Sequence, residues 1–439
     1  MKKINTLRAT VVAAVLATGS AAWATNGMLM EGYGPQALSM GGAAAAYDNG
    51  TAGMMNNPAT LQLGANGTRA DIALGVLGPN VSAMGQKSDG TSYVMPAVGW
   101  VKKNDQFTWG VGMFGQGGMG TEFGPNAGMM ANMRSELGVG RVIFPLAYRV
   151  NPQLSVGVSL DYSWASMDMQ MTTNRVNLNA MMDSANPGSS AALGTSGTPG
   201  PMGNPSYGRL DFSNSNDFSG AAKSTGWTGK FGAVLDATPN LALGFSHQLK
   251  TNLADMTTSA TGAKFTIYDS SFGVIGQTMS GKLTIHDFQM PAVTTIGGAY
   301  KASPALTLVA DIKNIGWSSV MKKFLMTFNA GQPLQFAMDQ NWKDQTVVSL
   351  GGAYRLNEST VLRGGYSHAS NPVPDAYVHP LFPAIVKSHL TAGIGHKFND
   401  QVSMDVAVSH APKVSVTSGQ GAPISHSQTN YQLMLSYRY

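Results

Sequence analysis

Cysteine is absent from the 439 residues. That removes disulfides, thiol nucleophiles and thiolate metal sites together. Charge is scarce as well: only 12% of residues are Asp, Glu, Lys or Arg, about half of what a soluble chain of this length carries. Beyond the N-terminus there is no uninterrupted apolar stretch of about 18 residues, which excludes an inner-membrane helical protein. No basic run with interleaved aromatics occurs, so no nucleic-acid partner is read. The histidines (His247, His286, His368, His379, His389, His396, His410 and His426) show no HExxH or other close ligand spacing. Neither a metal nor another cofactor is therefore expected.

The first residues read as a secretory signal peptide. Lys2, Lys3 and Arg8 precede an apolar run from Ala9 to Leu16 and a small-residue exit at Ala22-Trp23-Ala24. Cleavage after Ala24 would leave Thr25 first. It would also lower the formal charge from +5 to +2, because three of the 28 basic residues and none of the 23 acidic ones lie there. A secreted chain without apolar helices can still enter a membrane as a closed barrel, whose backbone groups pair between strands. Such a barrel needs few charges and tolerates many glycines, here 53.

Period-two alternation supports that reading. Leu154, Val156, Val158, Leu160, Tyr162 and Trp164 share one face, against Ser155, Gly157, Ser159, Asp161 and Ser163. The pattern returns at Leu241 to Phe245, at Val402 to Val408 and at the C-terminus, where Tyr431, Leu433, Leu435, Tyr437 and Tyr439 face outward. That aromatic-ended strand resembles the signal read by the barrel-assembly machinery. Tight turns near 103–105, 151–152, 239–240, 303–304, 357–358 and 399–400 alternate with long segments rich in Gly, Ser, Asn and Met. These sit at about 78–92, 115–138, 172–226, 250–282, 318–345, 371–389 and 411–430. The rhythm predicts an all-β, fourteen-stranded antiparallel transmembrane barrel over residues 69–439, with short periplasmic turns and long outer loops. Residues 25–68 do not alternate and are rich in small residues, as suits a plug inside the lumen.

Gly41-Gly42-Ala43 followed by Asn57-Pro58-Ala59-Thr60-Leu61 resembles the plug of the FadL/TodX (OmpP1) family of outer-membrane transporters of hydrophobic compounds. The likeness continues in Gly118 to Phe123, Leu146 to Val150, Asp287 to Ala292, Trp317-Ser318, Arg363 to Ser367 and Asn371 to Pro374. The wording at Glu31 to Gly34 and Asp287 to Ala292 is closer to the monoaromatic-hydrocarbon branch, with the long-chain fatty acid branch as the alternative. The resemblance implies a bacterial outer-membrane location among lipid and lipopolysaccharide, passive uptake, and a lateral exit at a kink in the third strand. That strand would be Phe107 to Phe114, with Phe114, Gly115, Gly117 and Gly118 at the kink. The plug motif Asn57-Pro58-Ala59 is expected to be buried close to it. A carboxylate ligand would call for a cation near the pocket, and Arg134 is the candidate in view.

Other motifs carry little. Gly110 to Gly115 matches GxGxxG, but it sits in a strand and opens no helix, so it is no nucleotide site. Asp161, Asp311 and Asp405 fall on polar strand faces with no Ser and His partner in a hydrolase pattern, so no catalytic residue is assigned. Methionine, at 27 residues, is in excess, and its pliable thioether suits varied apolar ligands. Met28, Leu29, Met113, Phe123, Met129, Met130 and Met133 are the candidate ligand contacts. The spacing of Met129, Met130, Met133 and Leu137 predicts a short amphipathic helix after Pro125. A general porin, or a barrel lipase or protease, are the competing readings.

Overall fold

A computed structural model describes residues 26–193, 200, 202–203, 205–216, 219–268 and 278–439. The expected signal peptide, residues 1–24, lies outside the described residues. The first strands are β1 (Gly67–Ala83), β2 (Gln86–Lys87), β3 (Tyr93–Lys103), β4 (Phe107–Glu122), β5 (Arg134–Arg149) and β6 (Leu154–Asn174). β6 pairs with Ala222–Thr238, and the wall continues through Leu241–Gln248, Val293–Lys301, Leu306–Ile315, Gln345–Arg355, Thr360–Ala369, Ser388–Lys397, Val402–Thr417 and Pro423–Arg438. The last of these pairs back onto β1, from Arg69↔Arg438 to Ala83↔Ile424, which closes the barrel. Closure pairs the two end strands, which would otherwise be open edges facing lipid.

Alternation decides which side chains see lipid. Along β1 and β6, Ile72, Leu74, Val158 and Leu160 are exposed, while Asp71, Asp161 and Ser163 between them are buried. Trp100 and Trp109 meet edge to face at 5.0 Å near the short turns, and Tyr162 and Trp227 do so at 5.1 Å toward the long connections. Amphipathic aromatics favour the membrane–water boundary.

The fourteen-stranded expectation is corrected by the sheet itself, which contains 22 strand segments among the described residues. The ladder does not stop where the long connections begin. Tyr207–Phe212 pairs with the outer part of β6 and with Ala263–Tyr268, and Met279–His286 pairs with Lys323–Asn329, which pairs with Pro333–Asp339. These segments lie in stretches read as loops from their Gly, Ser and Asn content. Phe265, Ile267, Phe324, Met326 and Phe328 turn inward there and form part of a large apolar core beneath the outer surface. A buried backbone must be paired, so these connections extend the sheet.

Inside the ring, residues 26–66 form a folded body with two single-turn helices, α1 (Pro35–Leu38) and α2 (Gly53–Asn56), and short 3₁₀ turns at Gly50–Ala52 and Pro58–Gln62. Gly41 and Gly42 hold φ of 70° and 82°, and a side chain at Gly42 would strike the Glu31 carbonyl. Only glycine fits this reversal without strain. The body docks on inward aspartates of the wall. The Asp311 carboxylate accepts from the N–H groups of Ala44 (2.7 Å) and Ala45 (3.0 Å), and that of Asp71 from Thr51 N–H (2.9 Å) and hydroxyl (2.8 Å). Asp405 accepts from Gln36 at 3.0 Å and from Arg363 at 2.7 Å.

Candidate functional site

β3 and β4 pair only from Lys103↔Thr108 to Ala97↔Phe114. Above that point Tyr93 to Pro96 stay paired with β1, while β4 runs on with β5 as far as Glu122↔Arg134. The two strands therefore part, and Pro96, lacking an N–H, stands where they divide. On β4 the register slips between Gly115 and Gly117, leaving Gln116 as the bulged residue. Expected at Phe114 to Gly118, the irregularity is a bulge within a strand that continues to Glu122.

The plug covers the edge that β3 abandons. Leu29 bridges to Gly117, and Gly118 N–H donates to the Met28 carbonyl at 3.1 Å. A Cβ at Gly117 would overlap that carbonyl, so the close approach requires glycine. The bulge is fixed from both sides: the Tyr33 hydroxyl donates to the Gln116 carbonyl at 2.6 Å, and Arg141 Nε donates to Gln116 Oε1 at 2.8 Å. Arg141 is held in turn by Asp161 at 3.0 Å, with both side chains fully buried.

A cavity of about 270 Å³ opens at this parting. Its floor is the plug segment Gly27 to Glu31; its sides are β1 at Leu77 to Val81, β3 at Tyr93 to Pro96, β4 at Met113 to Gly120 and β5 at Glu136 to Gly140. Trp164 of β6 closes the back, its ring seated against Gly140. Ser166 of β6 and Pro383 and Ala384 of an outer connection, with His426 and Gln428, complete the lining. Leu381 next to them has its carbonyl hydrogen-bonded by the Ser135 hydroxyl at 2.5 Å, which holds this connection against β5.

The floor is tied at Glu31. Its Oε1 accepts from Ser409 (2.7 Å) and Asn430 (2.8 Å) and lies 3.4 Å from His389 Nε2. Burial alone would raise this carboxyl, but the His389 ring and these donors more than offset it and hold it below the usual glutamate value. Among the described residues, no lysine or arginine lines the cavity. Leu29, Met30 and Gln116 separate it from a second, smaller chamber of about 50 Å³ where Arg141, Lys230 and Lys313 gather with Asp311. Arg134 belongs to neither, being paired with Glu136 at 2.6 Å and Glu122 at 3.3 Å.

Of the expected ligand contacts, Met28, Leu29 and Met113 line the cavity, as do Phe114, Gly115, Gly117 and Gly118 of the kink. Phe123, Met130 and Met133 instead pack into the core beneath the outer surface, and Met129 is 72% exposed. The predicted amphipathic helix there is a single 3₁₀ turn, Gly128–Met130, and Leu137 already lies in β5. Local spacing favoured a helix, but pairing with β4 takes Arg134 onward into the sheet. The plug motif is also elsewhere than expected. The Asn57 amide donates to the carbonyls of Ala45 (2.7 Å) and Ala233 (3.2 Å), and its oxygen caps Ala59 N–H (3.1 Å). Pro58 and Ala59 press against Gly157 of β6. The motif is therefore moored to β6 and Ala222–Thr238, away from Phe114 to Gly118. Reading the sequence missed Trp164, Pro383, Ala384 and His426; besides the glycines of β4, the prolines at positions 79 and 96 inside strands were a local sign of an interrupted wall.

The description "outer membrane protein transport protein (OMPP1/FadL/TodX)" fits residues 11–436. A long-chain fatty acid transport protein of Escherichia coli O6:H1 is 25% identical over 327 residues, 73% of this chain and 70% of the relative. Among solved structures, the P. putida toluene transporter TodX superposes with a TM-score of 0.82 at 27% identity, covering 93% of this chain and 99% of that one. The Ralstonia pickettii toluene transporter TbuX gives 0.76 at 28% identity, over 93% and 99%.

Proposed function

The chain belongs to the OMPP1/FadL/TodX family of outer-membrane transport proteins, and we propose that it takes up small hydrophobic molecules by capture in the cavity and release through the parting of β3 and β4. The family resemblance allows monoaromatic hydrocarbons or long-chain fatty acids. The observation that carries the reading is the coincidence of three features at one place. The strands separate, the lining is mainly apolar, and Met113 of that lining is 40% exposed on the lipid side. An apolar molecule held there reaches the membrane without crossing the polar periplasmic mouth.

The energetics suit capture followed by release. Removing roughly 200 Å² of apolar surface from water at about 25 cal/mol per Å² stabilises a bound ring by about 5 kcal/mol before the cost of binding. No energy source or chemical step is needed, and we assign neither. Met28, Leu29 and Met113 are the proposed ligand contacts, Phe114 to Gly118 the exit, and Asn57-Pro58-Ala59 a mooring of the plug, residues 25–68. Recognition of the C-terminal strand, Pro423–Arg438, by the assembly machinery and contact of the outer wall with lipid and lipopolysaccharide belong to the same proposal.

Uptake of labelled toluene and oleate by cells displaying equal surface amounts of the protein or an empty barrel control tests it. Uptake no faster than the control would refute the reading. A general porin is the competing function, and the plug filling the ring speaks against it. Purified protein in planar bilayers should show almost no steady ion current, whereas a porin would conduct.

A further inference from the structure

One polar atom in the cavity has no role in what precedes. His426 is buried, 7% exposed, and its Nδ1 lies 2.9 Å from the Pro383 carbonyl. A carbonyl only accepts, so Nδ1 carries the hydrogen and, in the neutral ring, Nε2 presents a lone pair. Nε2 faces the Gln428 side chain but makes no well-directed hydrogen bond among the described residues, although the ring belongs to the cavity lining. A buried acceptor left unpaired costs free energy, so such an atom marks a place where a donor is missing.

The amide and the carboxylates of the lining share this acceptor polarity, beside the hydroxyls of Tyr93 and Ser166. Gln428, also in the lining, turns its amide nitrogen away to donate to Asn430 Oδ1 at 2.8 Å. The other charged residues facing the space are the carboxylates Glu31 and Glu136. The nearest cluster of cations lies behind Leu29 and Met30 in the second chamber. With Glu31 and Glu136 already paired to His389 and Arg134, and no lysine or arginine in the lining among the described residues, this end of the cavity offers His426 Nε2 as an acceptor and no cation to hold an anion.

We propose that the cavity selects uncharged apolar molecules that carry one hydroxyl, the O–H donating to His426 Nε2 while the hydrocarbon part lies among Met28, Met95, Phe114 and Trp164. The inference rests on the transport reading above and narrows its substrate class: phenols and alcohols rank above bare hydrocarbons, and carboxylates rank last.

Para-cresol and anisole provide the test, because they have the same atoms and nearly the same shape but only cresol has a donor. Isothermal titration of the purified full-length protein should show cresol binding about tenfold tighter than anisole, the ratio that one satisfied buried acceptor supports. His426→Phe should bring the two within about twofold of each other. Equal affinity for cresol and anisole in the parental protein would overturn the inference, as would benzoate binding as tightly as cresol. The isomer comparison needs no variant, so misassembly of His426→Phe would not rescue it. If toluene binds and cresol does not, the inference falls alone; if none of the compounds binds, the transport reading falls with it.

Discussion

The parting of β3 and β4 can be locked chemically, and the geometry makes the lock specific. A Cβ built on Gly115 lies 3.6 Å from the Cβ of Met95 across the foot of the gap, inside the range of about 3.5–4.5 Å that a disulfide spans. The native chain has no cysteine to compete. Met95→Cys with Gly115→Cys should therefore oxidise to a single bridge just above the last natural pair, Ala97↔Phe114. Closing a loop of roughly 20 residues stabilises the folded barrel by about 3 kcal/mol, so the oxidised form should unfold later than the reduced one. The covalent link also forbids the strands from separating where both residues line the cavity. Uptake of labelled toluene should fall to background when oxidised and recover on reduction. The pair Met95→Ser and Gly115→Ser, similar in size but unable to cross-link, should resemble the reduced form throughout. Parental uptake with the bridge shown complete by mass spectrometry would refute lateral release, and passage would then have to run past a displaced plug.

Asn57→Ala leaves the carbonyls of Ala45 and Ala233 and the Ala59 N–H short of a partner. At about 1–3 kcal/mol per buried unpaired group, with partial relaxation, the plug should lose about 2–4 kcal/mol, read as an earlier thermal transition and rising steady conductance. Arg141→Leu should cost about 3–5 kcal/mol by stranding the buried Asp161 carboxylate, and adding Asp161→Leu should recover most of the loss; additive losses in chemical denaturation would contradict the pairing. Glu31 is held below its ordinary value of 4.5, so its tie stabilises the plug above that pH and is lost as pH falls through the lower folded value. Steady conductance should therefore be minimal at neutral pH and rise only below about pH 4.5, whereas Glu31→Gln should conduct already at neutral pH; a Glu31→Gln current as low as the parental one at neutral pH would count against the tie.

The barrel was legible because its strands obey a local rule. Val158 and Leu160 face lipid and Asp161 and Ser163 the interior, and a period of two can be read one strand at a time. The bulge on β4 left a local trace for a similar reason, since Gly115, Gly117 and Gly118 crowd where a regular strand would carry side chains. The cavity was legible only on the sides those glycines touch. Trp164, Pro383 and His426 come from a distant strand, an outer connection and the last strand, and no spacing announces that they meet. Strands in the outer connections were hidden by their composition. Met129 misled because methionine content says nothing about burial: Met130 beside it is buried while Met129 stands in solvent.

The hold of the plug was illegible for a deeper reason. Residues 26–66 contain two charged side chains, Glu31 and Asp48, and no lysine or arginine, so no pattern of complementary charges points to the wall. The wall nevertheless presents Asp71, Asp311 and Asp405 inward, where isolated carboxylates would be costly. The first two are satisfied largely by what side-chain letters do not record. Asp311 takes two consecutive backbone N–H groups, at Ala44 and Ala45, and Asp71 takes the N–H and hydroxyl of Thr51 beside its own Arg69. A main chain can approach a strand this closely only where side chains are small. The run Gly41-Gly42-Ala43-Ala44-Ala45-Ala46 supplies that on the plug, and Gly244, whose Cβ would overlap the Ala45 carbonyl, supplies it on the wall. Small residues, which read in the sequence as mere filling for a lumen, are thus the means by which backbone donors reach the buried acids.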